Sequence, residues 1–195
     1  LNNTLNTVKW IALREKNDDI SEICTSLGMI LETSLNNDIE LIQLREEIDL
    51  LKSYLYIQNY RYKGKFQLQF EHDDALNDAL VPKLSLQPIV ENAIHHGFIT
   101  RNSGQIVVRV FSERNQMNIE IVDDGIGLDE AKKHNNQGSG IGLTNLRERL
   151  NLLFKDEGDI SIDSSSTGTK VVLYFPLLIS KPYKGGNNYV DSSFS

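Results

Sequence analysis

Hydrophobic positions along the chain follow two periods, and the switch between them divides it. From residue 4 to about 33, Leu5, Val8, Ile11 and Ala12, then Ile20, Ile23, Leu27, Ile30 and Leu31, recur at helical spacing. The polar patch from Glu15 to Asp19 interrupts this stripe as either a bend or a break. Thr33 to Glu40 is polar and reads as a connection. A second helix is predicted from about Leu41 to Tyr62, where Leu41, Leu44, Ile48, Leu51 and Leu55 form a seam suited to another helix. Two helices with a short connection suggest an antiparallel hairpin over residues 1–63. A hairpin alone has little core. It either pairs with a second copy, the reading preferred here, or covers the domain that follows.

From Lys65 the period becomes two. Phe66, Leu68 and Phe70 alternate with Gln67, Gln69 and Glu71 as a half-buried strand. Pro82 is placed to start a helix running through Leu84, Leu86, Ile89, Val90 and Ile94 to Gly97. Ile106, Val108 and Val110 mark one strand, and Met117, Ile119 and Ile121 the next. Residues 128–140 read as a mobile polar loop and Leu143 to Phe154 as a helix. Ile160 and Ile162, then Val171, Leu173 and Phe175, give a closing hairpin. Three strand pairs can form between sequence neighbours. The fold class is therefore α+β: a two-layer sandwich of a mixed, mostly antiparallel sheet with helices on one face, over residues 64–180. Residues 181–195, rich in Gly, Asn and Ser, read as a disordered tail.

Composition narrows the function. The net charge of −7 argues against broad binding to nucleic acid, which needs clustered Lys and Arg. The single cysteine, Cys24, excludes an intrachain disulfide framework and reads as a small buried residue. No apolar run is long enough for a membrane helix.

Three segments carry candidate chemistry. Glu91-Asn92-Ala93-Ile94-His95-His96-Gly97 closes a helix. The Asn92 amide oxygen is a neutral ligand suited to Mg²⁺, though a polar group at a helix end is also ordinary. His95 and His96 can donate to phosphate. Asp123-Asp124-Gly125-Ile126-Gly127 follows a strand directly. A carboxylate fixed there can accept from an adenine amino group, and the glycines let backbone approach a flat base. The plain alternative is an acidic turn. Gly138-Ser139-Gly140-Ile141-Gly142-Leu143 opens a helix and offers backbone N–H groups to a phosphate. It lacks both the Rossmann G-x-G-x-x-G spacing and the Lys-Ser/Thr of a P-loop.

In order and spacing, the three segments together resemble the N, G1 and G2 boxes of the GHKL ATPases (the gyrase, Hsp90, histidine-kinase and MutL group), in a domain spanning roughly residues 80–176. The resemblance implies the Bergerat ATP-binding fold, with residues between G1 and G2 as an ATP lid. It implies that Asn92 holds Mg²⁺, Asp123 reads adenine, and Gly125 and Gly127 line the base pocket. Gly138, Ser139, Gly140, Ile141, Gly142 and Leu143 would hold the phosphates, and Thr169 would contact the site. His95 and His96 stand where histidine kinases often carry Lys and Tyr near the phosphates. The hydrolases of the group have a glutamate four residues before the Asn. Here that residue is Pro88, which favours phosphoryl transfer over hydrolysis.

Leu86-Gln87-Pro88-Ile89-Val90-Glu91-Asn92-Ala93-Ile94-His95-His96-Gly97 is similar to the LytS-like sensor histidine kinases. Tyr54-Leu55, Gln58 and Arg61-Tyr62 resemble a helix of the same group. The opening Leu1-Asn2-Asn3-Thr4-Leu5-Asn6 resembles the end of its phosphoacceptor motif. The expected histidine would lie two positions before Leu1, and none of His72, His95, His96 and His134 takes that place. The resemblance implies a kinase portion using ATP and Mg²⁺, with a response-regulator receiver domain as partner. It implies a homodimer through the helices, no nucleic acid, and a cytoplasmic position joined to a membrane only through an upstream region. A chain lacking that histidine is expected not to autophosphorylate at the usual site.

Overall fold

A computed structural model describes residues 2–36, 38–98, 103–130 and 141–179. In chain order the elements are α1 (Asn2–Arg14), α2 (Asp18–Leu35), β1 (Leu41–Gln43), α3 (Leu44–Tyr62), β2 (Phe66–His72), β3 (Leu80–Pro82), α4 (Gln87–Asn92), β4 (Gly104–Glu113), β5 (Gln116–Asp123), α5 (Ile141–Phe154), β6 (Asp159–Ser165) and β7 (Gly168–Pro176). Residues 131–140 of the expected loop and the whole expected tail at 181–195 lie outside the described residues, while 128–130, where the loop was expected to begin, are helical instead.

The polar patch at 15–19 is a break. Lys16 takes a left-handed φ of 55°. Asn17 then caps α2 by accepting the Ile20 N–H at 3.1 Å. Asp18 and Asp19 occupy the first turn of α2, where the helix dipole favours acidic groups. The stripe read as one helix is thus a pair, α1 packed on α2. They run antiparallel, so that a Cβ on Gly28 would meet Leu5 Cδ2 at 3.5 Å.

The next helix starts three residues later than its apolar seam suggests. Glu46 accepts the Gln43 N–H at 3.0 Å, an N-terminal box that fixes the first turn of α3 at Leu44. Leu41–Gln43 instead pair antiparallel with Leu80–Pro82 as a two-stranded ribbon. The seam itself is satisfied within the chain. Leu44, Ile48, Leu51 and Leu55 are buried in one core with Leu86, Val90 and the large sheet. α3 thus packs on α2, as the expected hairpin requires, and also covers the domain that follows. By contrast, α1 and α2 leave Val8, Trp10, Ile11, Leu13, Leu27 and Met29 exposed.

The large sheet has the order β2-β4-β5-β7-β6. β2 and β4 are parallel, and the other three pairings are antiparallel. Along β5, Met117, Ile119, Ile121 and Asp123 face inward, as period two requires. α4 and α5 pack on each other, and α5 also packs on β6 and β7. On the other face a charge ladder crosses the strands. Glu71 pairs Arg109 at 2.7 Å, Arg109 stands opposite Glu120, and Glu120 pairs Lys170 at 2.7 Å. Each such pair contributes about 0.2–1 kcal/mol. Polar pairing on this face leaves the apolar core to one side of the sheet.

The helix expected from Pro82 to Gly97 is shorter. Pro82 lies in β3 opposite Leu41, and it is Pro88 that occupies the first turn of α4. Between them Leu84 takes a left-handed φ of 52°, which no helix accommodates. After Asn92 the chain widens into one π-helical turn, Ala93–Gly97, closed by Phe98 N–H to the Ala93 carbonyl at 3.0 Å. Such turns recur at functional sites.

Candidate functional site

The end of α4 and its π turn, the end of β5 and the start of β7 meet beside α5. Between them opens a cleft of about 390 Å³, its solvent-filled mouth included. Ile89, Ala93, Leu128, Leu143, Ile162 and Val171 give it apolar walls. Asn92, His96, Asp123 and Thr169 give it polar points. Apolar walls with a few convergent polar groups are the usual make-up of a small-ligand site.

Asp123 is the best-anchored of these. It is 9% exposed. Its Oδ1 accepts the Gly125 N–H at 2.8 Å and the Thr169 N–H at 3.3 Å. The next residue points elsewhere, since alternation along the strand turns Asp124 to β4, where it accepts the Gln105 N–H at 2.8 Å. Only the first of the two adjacent aspartates therefore faces the cleft. Thr169 is buried beside it and shares a hydrogen bond with Ser164 Oγ at 3.2 Å. Ser164 also accepts the Leu128 N–H at 2.8 Å, fixing where the segment after the glycines begins.

The glycines of this region serve close approach. Ile126 N–H donates to the Gly97 carbonyl at 2.9 Å, joining the π turn to the end of β5. A Cβ on Gly125 would stand 2.6 Å from that carbonyl oxygen and 2.7 Å from Gly97 Cα. Gly127 has φ of 75°, and a Cβ there would strike the Ser165 carbonyl. So Gly125 is a joint between two segments of the site, while Gly127 lines the cleft itself.

Asn92 and His96 lie four residues apart and both line the cleft. His96 Nδ1 is buried without a hydrogen-bond partner among the described residues. Burial lowers the His96 pKa from its ordinary value, neighbouring His95 lowers it further, and Glu91 opposes both. The shift favours the neutral ring, which offers a donor or an acceptor according to tautomer. His95 is half-buried and is not among the cleft-lining residues. Pro88 and Gly142 bring the first turns of α4 and α5 together, a Cβ on Gly142 meeting Pro88 Cβ at 3.4 Å. Leu143 lines the cleft. Gly138, Ser139 and Gly140, and the Ile141 side chain, lie outside what the structure describes.

Among the described residues no group of three or more His, Cys, Asp or Glu could enclose a metal ion. Asn92 is the oxygen donor that the end of α4 presents to the cleft. An Mg²⁺ bound there would take its remaining ligands from phosphate oxygens and water, as this ion ordinarily does. The buried, unpartnered His96 Nδ1 leaves a polar group in the cleft for a ligand to meet. Sequence reasoning missed the apolar half of the cleft. Ile162 and Val171 were visible only as strand residues, and Ile89 and Ala93 only as helix residues.

Residues 1–66 match the family model described as histidine kinase. Residues 77–179 match that described as histidine kinase-, DNA gyrase B-, and HSP90-like ATPase. The sensor histidine kinase YesM of Bacillus subtilis is 32% identical over 179 residues, covering 90% of this chain and 31% of that protein. The sensor protein LytS of Staphylococcus saprophyticus is 32% identical over 187 residues, covering 89% of this chain and 31% of that protein. The chain thus spans about a third of the length of these relatives. The fold is shared with the histidine kinase domain of the Erythrobacter litoralis blue-light activated kinase (TM-score 0.54, 20% identity, 90% and 94% of the two chains). It is shared also with the catalytic domain of histidine kinase ThkA (TM-score 0.53, 19% identity, 70% and 94% covered).

Proposed function

Because the chain belongs to the sensor histidine kinases, with an ATPase domain of the histidine kinase, gyrase B and HSP90 type, we propose that it is the ATP-binding catalytic portion of a two-component sensor kinase. The observation that carries this reading is the convergence of Asn92, His96, Asp123, Gly127, Leu143 and Thr169 on one cleft. In this reading Asp123 accepts from the adenine amino group, with Gly125 and Gly127 beside the base. Asn92 holds Mg²⁺ against the phosphates. His96 is a neutral hydrogen-bonding partner for the ligand, and His95 approaches the phosphates from the outer side of the π turn. The glycine segment 138–142, with Ser139, Ile141 and Leu143, receives the phosphate chain.

Phosphoryl transfer asks mainly for positioning and charge neutralisation, which such a site supplies. A hydrolase needs a base for water. Pro88 stands at the first turn of α4 and cannot serve, while Glu91 is exposed and does not line the cleft. The phosphoryl group is therefore passed to a histidine, for onward transfer to a response-regulator aspartate. None of the chain's four histidines is in α1. The exposed apolar residues of α1 and α2 support a homodimer through these helices. In this reading residues 1–63 mediate dimerisation and residues 64–180 bind nucleotide, with α3 reaching into the second unit. In this reading the chain is the cytoplasmic portion of a membrane sensor.

The test is nucleotide binding by calorimetry with and without Mg²⁺. The chain should bind Mg-ATP, and Asn92→Ala should remove most of the Mg²⁺ dependence. Incubated with labelled ATP, the chain should accumulate no acid-labile phosphohistidine. Absence of Mg-ATP binding would defeat the reading.

A further inference from the structure

We propose that Glu47, on α3 and outside the cleft, is a positioning residue for the nucleotide site: its buried carboxylate fixes the Leu84–Leu86 turn from which the Asn92 helix starts. The inference rests on the nucleotide-site reading above and assigns that site a residue in a distant part of the sequence.

Glu47 is 1% exposed. A carboxylate is rarely buried to this degree unless donors surround it, because desolvation costs several kcal/mol. Its donors all come from one turn. Leu84 N–H donates to Oε2 at 2.7 Å, Leu86 N–H to Oε1 at 2.9 Å, and Ser85 Oγ lies 3.4 Å from Oε1. The carboxylate bridges both sides of the turn. Leu84 sits there at a left-handed φ of 52°, a conformation unfavourable for a non-glycine residue that persists only when its surroundings impose it.

The turn matters because α4 is too short to place itself. It has six residues before the π turn, far below what holds an isolated helix together. Its position is set at its ends. At the C-terminal end, Ile126 N–H grips the Gly97 carbonyl. At the N-terminal end the grip is the Glu47 carboxylate. Asn92 lies between the two.

A second group holds the same turn from the opposite element. Arg149 on α5 donates through Nη2 to the Lys83 carbonyl at 2.6 Å. Its positive charge acts on Glu47 in turn. α5 is the helix that the glycine segment opens, so the turn joins the Asn92 helix to the helix at the phosphate end. Lys83 Nζ in addition donates to the Asn36 carbonyl at the C-terminus of α2.

A merely structural role would lower stability and weaken all ligands together. A positioning role falls on the Mg-phosphate half and spares the adenine half, since Asp123 and Thr169 lie on β5 and β7. The experiment compares the full chain with Glu47→Ala, Glu47→Gln and Arg149→Gln. Affinities for Mg-ATP and for adenosine are measured alongside thermal unfolding. In Glu47→Ala, Mg-ATP affinity should drop about tenfold or more, while adenosine affinity stays within about twofold. Glu47→Gln, which keeps one acceptor oxygen, should fall between. An unchanged ratio of the two affinities overturns the proposal. Should Glu47→Ala not fold, Arg149→Gln carries the same criterion, Arg149 being only partly buried. Amide hydrogen exchange without nucleotide reads positioning directly. Residues 87–97 should exchange faster in the variants, and unaltered exchange there refutes the inference even if the parent binds no nucleotide at all. Failure of the parent to bind Mg-ATP instead refutes the function proposed above.

Discussion

Asp123 invites two substitutions whose contrast separates folding from recognition. In Asp123→Ala the Gly125 and Thr169 N–H groups lose their shared acceptor in a place that is 9% exposed. A buried donor left unpaired costs about 1–3 kcal/mol, and the 3.3 Å bond to Thr169 belongs at the weak end. The sum is about 2–4 kcal/mol. For a chain of this size that lowers Tm by about 5–15 °C. In Asp123→Asn the amide oxygen keeps the Oδ1 position and both bonds. Stability should stay within about 1 kcal/mol of the parent. Recognition should nevertheless fail in both, because an amide N–H then stands where a carboxylate oxygen met the adenine amino group. A charge-assisted hydrogen bond of about 1.5–3 kcal/mol corresponds to about 10–150-fold in Kd. Differential scanning calorimetry and titration with Mg-ATP measure the two quantities separately. If Asn destabilises as much as Ala, or if Asn leaves ATP affinity intact, the role given to Asp123 is wrong.

Further outcomes follow from the same geometry. Gly125→Ala should destabilise by about 1–3 kcal/mol, since its Cβ meets the Gly97 carbonyl and Cα, which are backbone and yield little; denaturant melts with an unchanged m-value would measure it. Burial raises the Glu47 carboxyl above 4.5. A raised carboxyl favours the folded state most at low pH, and that contribution fades as pH rises through its folded value. The stability of the parent relative to Glu47→Gln should therefore decline in melts taken at successive pH values above 4.5. Asp159 is shifted the other way, held below 3.8 mainly by the Ile160 backbone N–H and also by Arg147. Its contribution is present above 3.8 and disappears as pH falls below it, so the stability gap between parent and Arg147→Ala should narrow in acid; the group is largely exposed, and the change is small.

Period two was easiest to read, because a sheet with one buried face writes its alternation into β5 and β7 residue by residue. The glycine pairs and Asp123 were legible for a similar reason: a close approach or a fixed carboxylate admits few residue types. What escaped was set by distant partners. Leu41–Gln43 carry a helical seam, yet they become a strand because Leu80–Pro82 lie alongside and Glu46 starts the helix at Leu44. Pro82 has the credentials of a helix start, but Pro88 takes that place once Glu47 bends the chain at Leu84. The seam of α3 spoke of a helical partner, and α2 does pack on α3; what spacing alone does not show is that the seam residues are also buried in the core shared with the sheet. Glu47 carried no signal of its own, because the turn it holds lies in a distant segment of the sequence.

The parallel pairing of β2 with β4 bears on how the site comes into being. The hairpins β4–β5 and β6–β7 close over tight connections and can form early. β2 cannot reach β4 by a turn; the chain must cross over, and the crossover is the stretch that holds α4 and its π turn. Both sides of the cleft wait on pairings beyond the hairpins: Asp123 meets Thr169 only when β5 pairs with β7, and Asn92 is placed only when the crossover brings β2 to β4. Refolding followed by a probe at each side should show both arriving after the two hairpins. Ligand added during refolding should speed neither, yet should slow the escape of Asn92 once it is seated.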